Sequence, residues 1–115
     1  MNIEIKDIND VRVIKLCERI DIHNVFDVEE EIMESLDNNI SQVIFNFDKV
    51  EYFGSNGIRI LMLAKKNMDK IHGEMALVCV NQFVLKILKA IELIDLFTIL
   101  DSEEDAMEFF TKSAK

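Results

Sequence analysis

Residues 42–71 read QVIFNFDKVEYFGSNGIRILMLAKKNMDKI, and this stretch predicts a strand, a tight turn and a long helix in succession. Residues 42–47 form a dense apolar run of strand length. Ser55 is expected to cap a helix over residues 56–71, because serine is a preferred N-cap residue. A buried strand that leads directly into a helix is typical of α/β folds.

Strands and helices continue to alternate on both sides of this stretch. The other expected elements are two strands within the first twenty residues, a helix over residues 24–37, a strand over residues 74–80, a helix after Asn81, a strand over residues 96–100 and a helix after Ser102. Asp21 or Asn24 is expected to cap the first helix, and Gly73 to end the second. This order predicts one domain over residues 1–115, with a mixed, mostly parallel sheet of about five strands and about four helices.

Composition excludes several functional classes. The chain has 115 residues with 22 acidic and 13 basic side chains, and its net charge of −9 disfavours non-specific binding to nucleic acid. No apolar run approaches the ~20 residues of a membrane-spanning helix, and residues 1–10 contain no apolar signal core, so we expect a cytoplasmic protein. Cys17 and Cys79 lie in apolar runs and are expected to be buried, reduced thiols, and no motif predicts a metal or another cofactor.

Ser55 lies where α/β proteins gather their sites, at the end of a strand and the start of a helix, and its neighbours Gly54 and Gly57 are expected to let the backbone turn sharply. The simplest interpretation is a helix cap. A hydrolase elbow would need glycine at position 53, which is Phe53, and no phosphate-binding G-x-x-x-x-G-K-[ST] loop is present. A third interpretation is a phosphorylation site, because a phosphate there would gain the helix dipole and unpaired amides.

The quoted stretch, preceded by ERIDIHN at residues 18–24 and followed by EMALVCV, resembles the STAS domain, in the form of the small bacterial anti-sigma factor antagonists. In that family a strand ends in a stretch like Φ-x-D-S-[ST]-G-Φ, and a signature resembling G-x-L-D-x-x-[NT] lies near the first helix. The resemblance covers residues 2–110. It departs from the family pattern at Gly54, where aspartate is usual, at Asn56, where a second hydroxyl is frequent, and at Glu18, where glycine is usual.

The resemblance implies a regulatory module rather than an enzyme. In the family, the serine that corresponds to Ser55 is phosphorylated by a partner that is both a serine kinase and an anti-sigma factor. The unphosphorylated antagonist sequesters this partner, the phosphorylated one releases it, and a PP2C-type phosphatase restores the first state. Asp21 matches the family aspartate near the phosphorylation site. A monomer is expected when the protein is free.

Because a kinase must reach the Ser55 hydroxyl, we expect the partner to bind one surface formed by residues 52–57 and the adjoining residues 21–24. The residues assigned to it are Asp21, His23, Asn24, Tyr52, Gly54, Asn56, Gly57 and Arg59. Arg59 begins a basic stripe with Lys66 and Lys70 that is either a solvated face or a docking contact, and the acidic face between Asp27 and Asp37 is open to the same two interpretations.

Two further hypotheses keep the fold and change the function. The same phosphorylation switch could regulate a target other than a sigma factor, such as a phosphatase, a cyclase or a stressosome-like assembly. A small-molecule or enzyme function in the crevice beside His23 and Ser55 would require a deep pocket or a bound metal.

Overall fold

The computed structural model describes residues 2–37 and 39–113. The strands are β1 (Glu4–Ile8), β2 (Val11–Lys15), β3 (Arg19–Ile20), β4 (Gln42–Asn46), β5 (Tyr52–Phe53), β6 (Glu74–Val78) and β7 (Thr98–Leu100). The helices are α1 (Val25–Ser35), α2 (Ser55–Lys70), α3 (Gln82–Ala90) and α4 (Glu103–Ser113), with one 3-10 turn at Ile94–Leu96. The predicted alternation of strands and helices is confirmed, and the short strands β3 and β5 are additions to it.

Five strands form the main sheet in the order β1-β2-β4-β6-β7. The first two form an antiparallel hairpin whose turn residues, Asn9 and Asp10, both have positive φ angles of 49° and 69°, as a tight turn between twisted strands requires. The pairs β2-β4, β4-β6 and β6-β7 are parallel, so the carboxyl ends of these strands share one edge of the sheet. The prediction of a mixed, mostly parallel α/β sheet is therefore confirmed.

The apolar run that follows β2 is interrupted, although the sequence predicts continuous strand there. The N–H of Leu16 makes the last bond to the main sheet, to the carbonyl oxygen of Asn46 at 3.0 Å. The carbonyl oxygen of Glu18 instead accepts from the N–H groups of Glu51 and Tyr52, at 2.7 and 3.0 Å. The chain thus leaves the main sheet and forms a second, two-stranded parallel sheet from β3 and β5.

Helices cover both faces of the main sheet because adjacent residues of its central strands point in opposite directions. Phe45 and Leu77 contribute to a large core beneath α1, α2 and α3. Their chain neighbours Ile44 and Val78 contribute to a smaller core beneath α4, where Phe110 packs. All of these side chains are buried, and together they anchor the helices whose first turns surround the carboxyl edge of the sheet.

Two element boundaries differ in detail from the sequence prediction. The helix before Gly73 does end there, but the left-handed residue is His72, with φ of 57°. Gly73 is needed for close packing, because a Cβ at this position would lie 2.8 Å from the carbonyl oxygen of Ser41. The last strand begins at Thr98 rather than at Leu96, because the N–H of Leu96 closes the 3-10 turn on the carbonyl oxygen of Leu93 (3.1 Å).

Candidate functional site

The small sheet brings two segments together at the carboxyl edge of the main sheet. β3 pairs with β5 in parallel, with Ile20 opposite Phe53. Paired strands lie about 4.8 Å apart, so the segments that follow them, starting at Asp21 and Gly54, begin side by side. We refer to residues 21–24 and 52–56 as the Ser55 surface. The structure thereby places both sequence signatures at one location.

Ser55 is the first residue of α2, and its side chain is exposed. The N-cap position belongs to Gly54, whose carbonyl oxygen accepts from the N–H of Ile58 at 3.1 Å, so the prediction that Ser55 caps the helix is wrong. Within residues 2–37 and 39–113, no group forms a hydrogen bond with the Ser55 hydroxyl. This oxygen is therefore open to solvent, beside the first amides of a helix, which have no partners within the helix.

The glycines beside Ser55 serve close packing, not an unusual backbone conformation. No described glycine has a positive φ angle, so neither Gly54 nor Gly57 is required by a left-handed backbone conformation. A Cβ at Gly57 would lie 2.7 Å from the ring of buried Phe53, and one at Gly54 would lie 2.9 Å from the hydroxyl of Tyr52. Gly57 is itself buried, so it supports the Ser55 surface from beneath, whereas the adjacent Asn56 is half-buried.

The side chain of Asn24 holds the loop over residues 21–24 in place. Its Nδ2 donates to the carbonyl oxygen of Arg19 at 2.7 Å, and its Oδ1 accepts from the N–H of Asp21 at 3.0 Å. Asn24 occupies the N-cap position of α1, but its side chain makes no capping bond and neither does that of Asp21, which corrects the predicted cap. The backbone carbonyl of Asp21 accepts from the N–H of Val25 instead, at 2.9 Å.

Asp21 is the anionic group of the Ser55 surface. The backbone N–H of His23 donates to its carboxylate at 2.9 Å, and this bond, together with the charges of His23 and Arg19, lowers the pKa of Asp21 below its ordinary value. The Nε of Arg19 lies 3.6 Å from the same carboxylate, and its guanidinium lies 4.8 Å from the ring centre of Tyr52. His23 and Tyr52 are both exposed, so the Ser55 surface presents the carboxylate of Asp21 and an aromatic ring to an approaching molecule.

Arg59, one helical turn after Ser55, takes part in an ion pair with α1. Its Nη2 lies 2.7 Å from Oε1 of Glu29, and the pair joins the first half of α1 to the start of α2. Lys66 and Lys70 remain exposed further along α2. The basic stripe predicted from the sequence is therefore reduced at the end nearest Ser55, because its first member is compensated within the chain.

Sequence analysis missed three residues beside this site. The sequence pattern predicted no role for Arg19 other than a strand position, yet its guanidinium contacts both Tyr52 and Asp21. Ile22 and Phe26 are 76% and 77% exposed, although both are large and apolar. A signal for Phe26 was available, because it lies off the 3.6-residue period that the other apolar residues of α1 follow.

The two cysteines and the residue types that bind metals are scattered in the described part of the chain. No group of three or more His, Cys, Asp or Glu side chains in the described part of the chain is arranged to hold a metal ion. Cys17 and Cys79 are free, but they are half-buried rather than fully buried as predicted. Burial raises the pKa of both thiols, so they stay protonated near neutral pH. Of the helices described, none has the length and apolar character to cross a bilayer.

Comparison with known proteins identifies relatives of this chain. The STAS domain family matches residues 2–106. A protein of Bordetella bronchiseptica, BtrV, named as an anti-sigma factor antagonist, is 23% identical over 87 residues, which is 76% of this chain and 75% of BtrV. A crystal structure of a Thermotoga maritima protein, also named as an anti-sigma factor antagonist, superposes with a TM-score of 0.84 at 21% identity, covering 92% of each chain. SpoIIAA of Bacillus in its phosphorylated form superposes with a TM-score of 0.74 at 17% identity, covering 94% of this chain and 98% of that chain.

Proposed function

The chain belongs to the STAS domain family, and we propose that it is an anti-sigma factor antagonist whose binding is controlled by phosphorylation of Ser55. In this proposal the protein is a binding module without catalytic activity. Its partner is an anti-sigma factor that is also a serine kinase, and a PP2C-type phosphatase reverses the modification. The names of the relatives support the antagonist role, and the phosphorylated Bacillus relative supports a phosphate on this fold.

The observation that carries the proposal is the free hydroxyl of Ser55. A serine that caps a helix already uses its oxygen, and a kinase would have to break that bond before transfer. Here the cap position is filled by Gly54, and the Ser55 side chain is exposed. A kinase can therefore bring the terminal phosphoryl group of ATP to this oxygen without unfolding α2. The bond between Oγ and phosphorus forms, the bond to ADP breaks, and the hydroxyl proton passes to a base of the kinase.

Phosphorylation acts on the partner interface through charge and size. It adds about 1.5 to 2 negative charges at pH 7 to a chain whose net charge is −9. The first amides of α2 and the helix dipole stabilise the phosphate within the chain. At a packed interface the same group must lose water and is repelled by any acidic neighbour. A loss of roughly 2–4 kcal/mol weakens binding about 30- to 1000-fold, with no change of fold.

Asp21 extends the interface in this proposal. It remains ionised because its pKa is lowered, and it begins the segment adjacent to Gly54. A basic group of the partner can pair with this carboxylate while the kinase site faces Ser55. Asn24 acts indirectly, because its two hydrogen bonds fix the loop that presents Asp21.

The test is phosphoryl transfer followed by binding. We expect purified chain, incubated with ATP and a serine-kinase anti-sigma factor from the same organism, to gain one phosphate on the peptide that contains Ser55, as measured by mass spectrometry. Ser55→Ala should bind the kinase without being phosphorylated, and Ser55→Asp should bind at least 30-fold more weakly, about 2 kcal/mol.

Ser41 offers the matched control, because it is an exposed serine that precedes β4, at the opposite edge of the sheet. Ser41→Asp adds the same charge away from the Ser55 surface and should bind like the unmodified chain. Phosphate on another residue, or equal binding of Ser55→Ala and Ser55→Asp, contradicts the proposal. A partner that is a phosphatase, a cyclase or an assembly scaffold instead of an anti-sigma factor would keep the switch and change its target.

A further inference from the structure

Ile22 and Phe26 are the most exposed large apolar side chains in the described part of the chain, at 76% and 77%. Ile22 lies in the loop over residues 21–24, and Phe26, four residues later, lies in the first turn of α1. The core contacts of α1 come from another face, formed by Val25, Val28 and Ile32. Ile22 and Phe26 therefore contribute almost nothing to the core, and exposed apolar groups of this size lower solubility. The stability of the fold therefore does not explain why these two positions carry large apolar side chains.

Two observations relate the segment that contains these residues to the segment that contains Ser55. The parallel pairing of β3 with β5 aligns the segment that contains Ile22 with the one that contains Ser55. Independently, the ion pair between Glu29 and Arg59 holds α1 against α2. Glu29 follows Phe26 by one turn, and Arg59 follows Ser55 by one turn, so the ion pair sets these first turns beside each other.

The surroundings of Phe26 are acidic. Asp27, Glu30 and Glu34 are exposed on the same helix, and none of them forms an ion pair with a described residue. Two other acidic residues of α1 do have partners, since Glu29 pairs with Arg59 and Glu31 accepts hydrogen bonds from Asn2. An apolar ring beside uncompensated carboxylates complements a surface with an apolar pocket and a basic border, and a second copy of this acidic surface is repelled.

We propose that Ile22 and Phe26 are the apolar anchors of the partner interface, and that the partner protein receives them in an apolar pocket bordered by lysine or arginine. This inference rests on the proposed function, since the partner is the kinase that reaches Ser55. Aromatic anchors at the centre of an interface carry most of its binding energy, while border charges mainly accelerate association. The acceptor hydroxyl and the anchors then engage together, so a phosphate on Ser55 disturbs the region where most binding energy is concentrated.

Alanine substitution of Phe26 tests the anchor. We expect Phe26→Ala to bind the nucleotide-free kinase about 10- to 100-fold more weakly in calorimetry. Phe109→Ala is the matched control, because Phe109 is a half-exposed aromatic residue near Gly73 and Thr98, at the opposite ends of the strands. Its affinity should stay within about twofold of the unmodified chain. Circular dichroism of both variants checks that the fold is retained.

Charge neutralisation tests the basic border. The double variant Asp27→Asn, Glu30→Gln should associate more slowly with the kinase and lose part of the dependence of the association rate on salt. Glu108→Gln removes an exposed carboxylate of α4 on the other face of the sheet and should leave both quantities unchanged.

The outcomes separate the inference from the function on which it rests. If Phe26→Ala binds like the unmodified chain while Ser55→Asp does not bind, the anchor role is overturned and the switch at Ser55 stands. If the free chain sediments as a dimer that Phe26→Ala dissociates, a second copy covers the anchors and the inference is overturned as well. If the unmodified chain neither binds a serine-kinase anti-sigma factor nor is phosphorylated, the proposed function fails and the inference fails with it.

Discussion

Helices α1 and α4 have the same length of 11 residues and lie on opposite faces of the sheet, yet they use their acidic residues differently. At the start of α4, Oγ of Ser102 accepts from the N–H of Asp105 at 3.1 Å. Three acidic residues occupy its first turn and Lys112 its last turn, an arrangement that complements the helix dipole. α1 has one acidic residue in its first turn, no basic residue in its last and no side-chain cap.

The difference separates residues that serve the fold from residues that are available to a partner. Glu103 of α4 accepts from Nδ2 of Asn46 at 2.6 Å and lies 3.2 Å from Nζ of Lys6, so its charge ties the helix to the sheet. On α1 the exposed carboxylates lie beside Phe26 without such partners. The acidic residues of α4 therefore serve the fold, whereas in our proposal the outer face of α1 contacts a partner protein.

The largest expected contrast between the two helices is in aromatic truncation. Phe110→Ala on α4 removes a ring that is 2% exposed and should lower the free energy of unfolding by about 3–5 kcal/mol. Phe26→Ala on α1 removes a ring that is 77% exposed and should change it by less than about 0.5 kcal/mol. Urea unfolding at pH 7 measures both. A loss above about 2 kcal/mol of unfolding free energy for Phe26→Ala would show that the ring is part of the core after all.

A smaller effect is expected at the helix starts. Ser102→Ala removes a cap and should cost about 1 kcal/mol of unfolding free energy, since its Oγ satisfies the N–H of Asp105. Ser55→Ala should cost less than about 0.5 kcal/mol, because the Ser55 hydroxyl caps nothing. Thermal unfolding of both variants gives the comparison. Equal losses would show that the Ser55 hydroxyl also stabilises its helix.

The smallest effect is a dependence of stability on pH at Glu103. Burial raises the pKa of this carboxyl, but the hydrogen bonds from Asn46 and Lys6 outweigh burial and lower it below the ordinary value. A carboxylate with a lowered pKa stabilises the fold above its unfolded pKa of about 4.3, and this contribution is lost as the pH falls through the folded value.

Glu103→Gln should therefore lower the free energy of unfolding by up to about 1 kcal/mol at pH 7 and by less at pH 3.5, in urea unfolding at the two pH values. Glu30→Gln on α1 should give no such difference, because Glu30 has no ion pair among the described residues. A deficit of Glu103→Gln that is equal at both pH values would show that the carboxylate charge is not involved.

Much of the fold was predictable because its signals are local. The first two helices, the dense strands β4 and β6 and the helix after Ser102 were each predicted from a few neighbouring residues, and each is confirmed. Errors occurred where distant residues compete for the backbone. The chain leaves the main sheet before β3 because the N–H groups of Glu51 and Tyr52 both donate to the carbonyl oxygen of Glu18, and no local pattern encodes that pairing.

The candidate site was predictable in location but not in detail. The strand-to-helix junction and the family resemblance pointed to Ser55 and Asp21, and the parallel pairing of β3 with β5 brings their segments together. The sequence favoured a capping role for Ser55 and Asn24 that neither side chain performs. A cap depends on backbone angles at one residue, and those angles follow from how α1 and α2 pack on the sheet.

The order of residues alone determined the class of fold, the order of strands and helices along the chain and the hydroxyl on which the proposal rests, because apolar periodicity and helix-start chemistry act over a few residues. Only the tertiary structure decided that the hydroxyl is unbonded, that Arg59 is neutralised by Glu29, and that Ile22 and Phe26 are exposed. Exposure and pairing are properties of what lies across space from a side chain, and in this chain those neighbours are some thirty residues away in sequence.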